Sequence, residues 1–168
     1  MTMTAVNTIA YARTQTAIYV SDKMRSLIRT LILNCGLDPQ KLMDAWSGWV
    51  HDAARAWMET GDLLKFVIEF YQPGAANASA RWDFPIRYDG MDIDQMWIDT
   101  DFLQGSVAKT ARPPAGCTYR ILLQPRAGAR NLPGMSDAAY LGLNGLTARE
   151  AGTIIGTPDI MASATYYR

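Results

Sequence analysis

The chain has few of the residues from which catalytic sites are usually built. Its 168 residues include one histidine, His51, and two cysteines, Cys35 and Cys117, that are far apart in the sequence. A lone histidine in a predicted helix is more often structural than catalytic, and isolated cysteines are typical of small buried apolar positions. No serine lies in a GxSxG pattern, and no glycine-rich phosphate loop follows a strand. The sequence therefore predicts no nucleophilic, zinc or nucleotide site, and we expect no cofactor.

Net charge and long apolar runs are also missing. The 16 basic residues balance the 16 acidic ones, whereas proteins that bind nucleic acid usually present a basic face. No apolar run approaches the roughly 20 residues that span a bilayer. The N-terminus, Met1–Asn7, lacks the basic start and apolar stretch of a signal peptide. We therefore expect one soluble, cytoplasmic domain with a single core, without direct contacts to nucleic acid or membrane.

One acidic run offers a candidate metal site. It contains Asp89, Asp92, Asp94, Asp99 and Asp101, and oxygen ligands of this kind suit a hard divalent cation. The run lacks the glycine and the terminal glutamate of an EF-hand loop. The favoured interpretation is that these residues form turns and complement the dipole at a helix N-terminus. A small divalent-metal-dependent enzyme is therefore the less favoured alternative.

Apolar residues at helical spacing predict three helices. Residues 1–10 are small and polar, and we expect them to be loose. The first helix is predicted over Thr16–Asn34 and the second over residues 38–57, where Asp38 and Pro39 form a start signal. Gly48 predicts a kink or a break in the second helix. The third helix is predicted over Met91–Ala111.

Alternating apolar residues predict strands with one buried face. The strands are Leu63–Tyr71, Arg81–Tyr88 and Cys117–Gln124, with two shorter ones near Thr153–Ile155 and Met161–Tyr167. Pro85 cannot donate a ladder hydrogen bond, so we expect it at a sheet edge or facing a bulge. Helices and strands that are segregated along the chain predict an α+β fold, with about three helices packed on an antiparallel sheet.

The last quarter of the chain, Arg126–Arg168, combines many glycines with many apolar residues. A disordered tail would lack the apolar residues, and a rigid core element would lack the glycines. The combination predicts a segment that packs on the domain in more than one way. The expected division is a loose N-terminus at 1–10, a core at 11–125 and the rearrangeable segment at 126–168. Deleting Arg126–Arg168 is then expected to leave a folded core.

Seven stretches, in this order and at this spacing, resemble one family. They are Tyr19–Ile28, Gly36–Pro39, Ala56–Leu63, Glu69–Pro73, Arg81–Asp83, Trp97–Asp101 and Tyr119–Leu123. Together they are similar to the bacterial HORMA-domain proteins of CBASS anti-phage defence. The resemblance covers nearly the whole chain and implies a single HORMA domain whose residues 126–168 form a "safety belt". Such a belt wraps around a short peptide, the closure motif, which is held as an added strand.

The resemblance also implies a function, partners and sites. The closed protein would bind and activate a cGAS/DncV-like nucleotidyltransferase, and an AAA+ ATPase would disassemble it. A second HORMA protein, or another copy of this chain, is a further partner that the family allows. The implied peptide-binding residues are Tyr119, Ile121 and Leu123 on the last predicted long strand, and Tyr140, Leu141, Leu143 and Leu146 in the belt. The implied ATPase-engagement residues are Thr2, Thr4, Val6 and Asn7.

On this interpretation the protein is a sensor and adaptor, not an enzyme. The main alternative within the family is a constitutively closed structural subunit that stabilises the synthase complex. Two species resolved by ion exchange would favour the switch over the constant subunit.

Overall fold

The helices precede most of the strands, as in the predicted α+β arrangement. The computed structural model describes residues 2–89 (residues 2–12 as backbone only), 96–99, 101, 105 and 112–168. The helices are α1 (Thr2–Asn34), α2 (Gln40–Ala45), a π-helical turn (Trp46–Val50) and α3 (His51–Glu59). The strands are β1 (Leu63–Tyr71), β2 (Ala80–Arg87), β3 (Trp97–Ile98), β4 (Thr118–Pro125), β5 (Ala148–Gly156) and β6 (Met161–Tyr167).

The six strands form one sheet in the order β3-β5-β6-β2-β1-β4. Every pairing is antiparallel. The two strands nearest the C-terminus form a hairpin, and β6 adds that hairpin to β2. The chain leaves β4 at one side of the sheet and enters β5 on the other side, so residues 126–147 must travel across the sheet. We call residues 126–147 the crossing segment.

The core lies between the helices and one face of the sheet. α1 contributes the largest share of fully buried helix residues, Val20, Met24, Leu27, Ile28, Leu31 and Ile32. From the second helical stretch, Trp46 stacks on Phe66 of β1 with ring centroids 5.8 Å apart. The predicted interruption at Gly48 is confirmed, because the π-helical turn surrounds it. Among the described residues, none of the helices has the length and apolar character needed to cross a bilayer.

The start of the first helix differs from its predicted position. The predicted helix start at Thr16 was wrong, because α1 already begins at Thr2. Neither glycine nor proline occurs between Thr2 and Asn34, so nothing in the local sequence stops helical hydrogen bonding earlier.

The third predicted helix was wrong at Trp97 and Ile98, which form β3. They pair with Gly156 and Ile155 of β5, and the Trp97 ring lies directly against Gly156. This long-range pairing outweighs the local helical periodicity. Asp101 and Gly105 are helical, and the other residues of the prediction in 91–95, 100, 102–104 and 106–111 lie outside the described residues.

The expectation of strands buried on one face only was also wrong. On β1, Val67 and Glu69 are as fully buried as the core residues on the opposite face. On β2, Arg81 and Asp83 are buried as well. The crossing segment covers this second face, as the contacts below show. The sheet therefore has an apolar face toward the helices and a polar face toward the crossing segment.

Pro85 does not lie at a sheet edge, because β2 is an inner strand between β1 and β6. The register between β2 and β6 pairs Asp83 with Thr165 and Ile86 with Ala162, and it skips the two residues between. Pro85, which has no N–H to donate, thus lies where the hydrogen bonding between β2 and β6 is interrupted. The prediction rested on this missing N–H.

We expect a chain that ends at Pro125 to lose cooperative unfolding. It would lack two sheet strands, together with the buried Ile154, Ile155, Ile160 and Ala162, and it would leave β2 unpaired. Thermal unfolding followed by circular dichroism tests this, with the full chain as reference. A cooperative transition near that of the full chain would show instead that residues 11–125 fold alone, as the sequence suggested.

Candidate functional site

The outer edge of β4 presents backbone groups that are not paired with another strand of the described residues. β4 pairs with β1 on its inner side only. The ammonium of Lys41 donates to the carbonyl of Tyr119 at 2.7 Å, which places that carbonyl on the outer side. Backbone groups alternate along a strand, so the N–H and C=O groups of Ile121 and Leu123 point outward too. They are free to pair with an added strand.

A groove of about 640 Å³ runs beside this edge. The helical layer contributes Trp49 and Trp57 to its wall, β4 contributes residues 120–125, and the crossing segment contributes most of residues 129–138 and Tyr140. The groove therefore has an apolar side next to the helices and a mixed side next to the crossing segment, which contributes both apolar and polar side chains.

The crossing segment wraps around the β4 edge, and its contacts show the path. At its start, the indole N–H of Trp57 in the helical layer donates to the carbonyl of Arg130 at 3.0 Å. Nine residues later, the carbonyl of Ala139 accepts a hydrogen bond from Arg120, whose side chain lies on the opposite face of the sheet. Residues 131–138 span the two faces and form the outer wall of the groove.

A buried carboxylate holds the crossing segment on the polar face. Glu69 of β1 has no exposed surface, and one of its oxygens accepts a hydrogen bond from Arg120 Nε at 2.7 Å. Its other oxygen accepts the backbone N–H of Leu141 at 2.9 Å. Arg120 also donates to the Ala139 carbonyl at 2.5 Å. Both carboxylate oxygens and the guanidinium thus clamp the segment against the sheet.

Tyr140 lies over a second group of charges. Arg81 pairs with Asp83 through two hydrogen bonds of 2.6 and 2.8 Å, and its guanidinium lies 4.3 Å from the centre of the Tyr140 ring. The Tyr140 hydroxyl donates to Gln124 Oε1 at 2.6 Å. Burial raises the pKa of Tyr140 to about 12, so the hydroxyl stays protonated and remains a donor.

Gly142 fixes the end of the wrapped stretch. Its N–H donates to the Ala76 carbonyl at 3.0 Å, and its carbonyl accepts the N–H of Ala78 at 2.8 Å. A Cβ atom at this position would lie 2.1 Å from Asn77 Oδ1. The backbones approach so closely that only glycine fits without displacing Asn77.

Three of the seven predicted peptide-binding residues line the groove, namely Ile121, Leu123 and Tyr140. Tyr119 is only 4% exposed, and its hydroxyl donates to the Asp38 carbonyl at 2.6 Å. Its side chain therefore fastens the start of α2 to β4 and leaves only its backbone at the edge.

The other predicted residues lie elsewhere in the fold. Leu141, Leu143 and Leu146 follow the groove-lining part of the crossing segment and are half-buried. The predicted ATPase-engagement residues Thr2, Thr4, Val6 and Asn7 lie in the first turns of α1. Their role, like that of the peptide-binding residues, stays a prediction.

Sequence reasoning missed the side chains that clamp the crossing segment. Glu69 and Arg120 stood at strand positions that we expected to face water. A usable signal was present, because Glu69 is directly opposite Arg81 on one neighbouring strand and Arg120 on the other. Opposite charges at facing positions of three strands indicate a charged layer that something covers. Trp49 has the helical spacing of a core tryptophan, yet its half-buried ring also lines the groove.

The candidate metal site receives no support from the described residues. In that part of the chain, no three His, Cys, Asp or Glu side chains lie close enough to hold an ion. Asp89 forms a salt bridge with Arg87 at 2.6 Å, and Asp92 and Asp94 lie outside the described residues. His51 is in the helical layer with Nδ1 3.4 Å from Ser21 Oγ, away from the groove.

Comparisons with known proteins agree on the fold. A family model described as bacterial HORMA domain 2 matches residues 3–168. No curated protein sequence matches the chain. A chain in the crystal structure of the mitotic checkpoint complex has a TM-score of 0.71 at 11% identity, covering 90% of this chain and 97% of that one.

Two further structures are similar at a TM-score of 0.61. One is C. elegans HTP-1 bound to the HIM-3 closure motif, at 12% identity over 94% of this chain and 89% of that one. The other is a chain in the E. coli MS115-1 HORMA:CdnC:Trip13 complex, at 14% identity over 92% of this chain and 89% of that one. At these identities the likeness shows the HORMA fold and nothing finer.

Replacing Glu69 with alanine should loosen the crossing segment. The change leaves Arg120 without its buried partner and removes the acceptor of the Leu141 N–H, so we expect a loss of about 3 kcal/mol in unfolding free energy. Denaturant unfolding measures the loss, and limited proteolysis should show faster cleavage within residues 131–141. The exposed Glu150→Ala is the matched control and should change stability by less than about 0.5 kcal/mol. Equal effects of the two substitutions would contradict the clamp.

Tyr140 should make stability depend on pH at the alkaline end. An unfolded tyrosine ionises near pH 10.0 and the folded Tyr140 near 12, so its contribution is complete below pH 10.0 and is lost as pH rises toward 12. The stability of Tyr140→Phe should therefore fall less across this window than that of the wild type. Below pH 10.0 the two proteins should differ by a constant amount. Parallel curves throughout the window would show that Tyr140 titrates normally.

Proposed function

Since this chain belongs to the bacterial HORMA domain 2 family, we propose that it is a non-enzymatic peptide-binding switch. Its ligand is an extended peptide that adds a strand to the outer edge of β4 and lies in the groove. In its peptide-bound, closed form it binds and activates a cGAS/DncV-like nucleotidyltransferase of anti-phage signalling. The observation that carries the proposal is the open β4 edge, enclosed by residues 131–138 of the crossing segment.

Strand addition explains why such an edge is left open. The outward N–H and C=O groups of an edge strand give affinity when a peptide pairs with them, and the pockets on either side read alternate side chains. In this groove, one row of peptide side chains would meet Trp49, Ile121 and Leu123, and the other row would meet the crossing segment. The two walls thus supply the two kinds of specificity that an added strand requires.

The opposite side of the sheet supports the same interpretation. There, within the part of the chain that the structure describes, β5 pairs with β3 at Ile155 and Gly156, and the N–H of Asp99 donates to the Ile154 carbonyl, so residues 148–153 have no strand partner on that side. This edge is interrupted by register shifts next to Gly152 and Thr153, and it carries the exposed charges of Arg149 and Glu150. Bulges and charges are devices that discourage strand addition. The β4 edge has no register shift of its own beyond its end at Pro125, so it is the better acceptor.

We propose that the crossing segment moves to open and close the groove. Residues 131–138 include few buried side chains, and the segment is fastened by Arg130 before them and by Ala139, Leu141 and Gly142 after them. Opening the groove requires the release of these few polar contacts and of the half-buried Leu132 and Met135, which pack against the core from outside. Segments of this kind have low local stability and serve as lids.

The proposed ATPase action follows from the other end of the chain. We propose that an AAA+ ATPase pulls on the first residues of α1. Arg13 of this helix pairs with Asp159, in the turn between β5 and β6, at 2.5 Å. Extraction of α1 would therefore remove both core contacts and a tie to the C-terminal hairpin, which would free the crossing segment.

The partner classes rest on similar proteins. The E. coli structure contains a HORMA protein together with CdnC and Trip13, and the C. elegans structure contains a HORMA protein with a closure motif. We assign the corresponding classes, a nucleotidyltransferase, an ATPase and a closure peptide, to this chain by similarity.

A peptide selection on the full-length protein tests the function. We expect random-peptide phage display to enrich a short extended consensus. Ala138→Trp places a large ring in the groove and should abolish its binding, while Ala127→Trp, an exposed position outside the groove, should retain it. Fluorescence polarisation with the selected peptide measures both. Enrichment of no consensus, or equal binding to both variants, would refute peptide binding at this groove.

A further inference from the structure

The open edge of β4 ends abruptly at Tyr119. The Tyr119 hydroxyl donates to the Asp38 carbonyl at 2.6 Å and accepts the N–H of Leu42 at 3.2 Å. These two bonds fix the first turn of α2 against β4. Lys41 lies between the two anchored residues, so its side chain is held at the end of the groove-lining edge.

Lys41 hydrogen-bonds to the outward carbonyl of Tyr119, which an added strand would otherwise pair with. Its ammonium donates to the Tyr119 carbonyl at 2.7 Å and lies 3.5 Å from Thr118 Oγ1. The same ammonium is 5.4 Å from the centre of the Tyr119 ring. At the other end of the edge, Pro125 has no N–H to offer. The pairing that remains is confined to Ile121, Leu123 and the Pro125 carbonyl.

No salt bridge of the described residues neutralises the charge of Lys41. Within the described residues, the salt bridges join other side chains, and Lys41 takes part in none of them. A lysine ammonium has three donors, and only one of them makes a short hydrogen bond here. A ligand that approaches along the β4 edge would therefore meet a positive charge that still has an N–H available to donate.

Away from Lys41, the groove lining has little net charge of its own. It includes Arg130 and Asp137, which are of opposite sign, and Arg120, whose guanidinium pairs with the buried Glu69. The side next to the helices is apolar, with Trp49, Ile121 and Leu123. An occupant that complements both features carries apolar side chains on one face and negative charge toward its end at Lys41.

We propose that Lys41 ends the strand-pairing edge and selects a peptide with a carboxylate at that end. The carboxylate belongs either to an acidic side chain or to the C-terminus of the peptide. This inference rests on the proposed peptide-binding function and adds to it the length of the ladder and the charge that the site requires. Lys41 is a specificity residue in this role, because it contacts the peptide directly and at a fixed distance from the apolar wall.

A double-mutant cycle tests the proposal on the full-length protein. Random-peptide phage display on the wild type supplies the probe, and the selected peptide is synthesised with its acidic residue or with glutamine in that place. We expect the acidic peptide to bind Lys41→Met about tenfold more weakly than the wild type, as for the loss of one hydrogen bond to a charged group. The glutamine peptide should bind both proteins equally.

Amidated and free C-termini distinguish the two sources of the carboxylate. If amidation alone weakens binding to the wild type and not to Lys41→Met, the chain terminus is the group that is bound. If the glutamine replacement alone does so, an acidic side chain is bound. Lys41→Glu should shift the selected consensus from an acidic to a basic residue at the same place.

Lys23→Met is the matched control. Lys23 also places its ammonium 5.4 Å from the centre of a tyrosine ring, Tyr19, but it lies on α1 away from the groove. It should leave the affinity for the acidic peptide unchanged. Peptides that bind the wild type and Lys41→Met equally would overturn the Lys41 proposal and leave the peptide-binding function standing. Failure to select any peptide would overturn the function itself, and with it this inference.

Discussion

The arrangement of this molecule depends on one carboxylate that is kept away from water. Glu69 lies on an inner strand, where a charge can remain only if hydrogen bonds replace its hydration. Arg120 and the N–H of Leu141 provide those bonds, and the second of them comes from the crossing segment. The sheet therefore has a polar face that is satisfied only while residues 139–142 lie on it. An apolar face in the same place would hold the segment without fixing its position.

This requirement explains why the two faces of the sheet have different roles. The face toward α1 carries Phe66, Phe70, Trp82 and Phe84, and it supplies the stability of the domain. The face toward the crossing segment supplies position, through a few contacts with defined geometry. The segment touches the core only through half-buried side chains such as Leu132 and Met135, so its release would leave the layer between helices and sheet in place, provided that water or another partner takes over the hydrogen bonds of Glu69 and Arg120. A stable fold and a movable cover are compatible because different chemistry holds each of them.

Much of the fold could be predicted from the sequence, because its main strands and the second helical stretch carry strong local periodicity. The strands β1, β2 and β4 begin and end within one residue of their predicted positions, and the interruption at Gly48 was anticipated. The predictions failed where distant residues decide the structure. Trp97 forms a strand because Gly156 lets its ring approach, and β1 is covered on both faces because the chain returns over it. No local pattern contains that information.

The candidate site could be predicted only in part for the same reason. The family resemblance pointed to Ile121 and Leu123 on β4 and to the segment beside them, and both residues line the groove. The resemblance identified neither Trp49, which has helical spacing like any core tryptophan, nor Lys41, which is an ordinary exposed lysine until Tyr119 brings α2 against the strand. Both residues are brought to the β4 edge by the packing of α2 and the π-helical turn next to β4.

The path of residues 131–138 around the β4 edge has a kinetic consequence. A strand held inside this loop cannot leave sideways, since covalent chain closes the way out and both ends of the loop are fastened to the sheet and helices. Its escape rate is then set by how often the loop comes undone, and only weakly by the quality of its own contacts. Two peptides of different affinity would arrive at different rates and depart at nearly the same one. Under the proposed function, the lifetime of the bound state would then be set mainly by the loop of the protein and only weakly by the peptide that triggers closure.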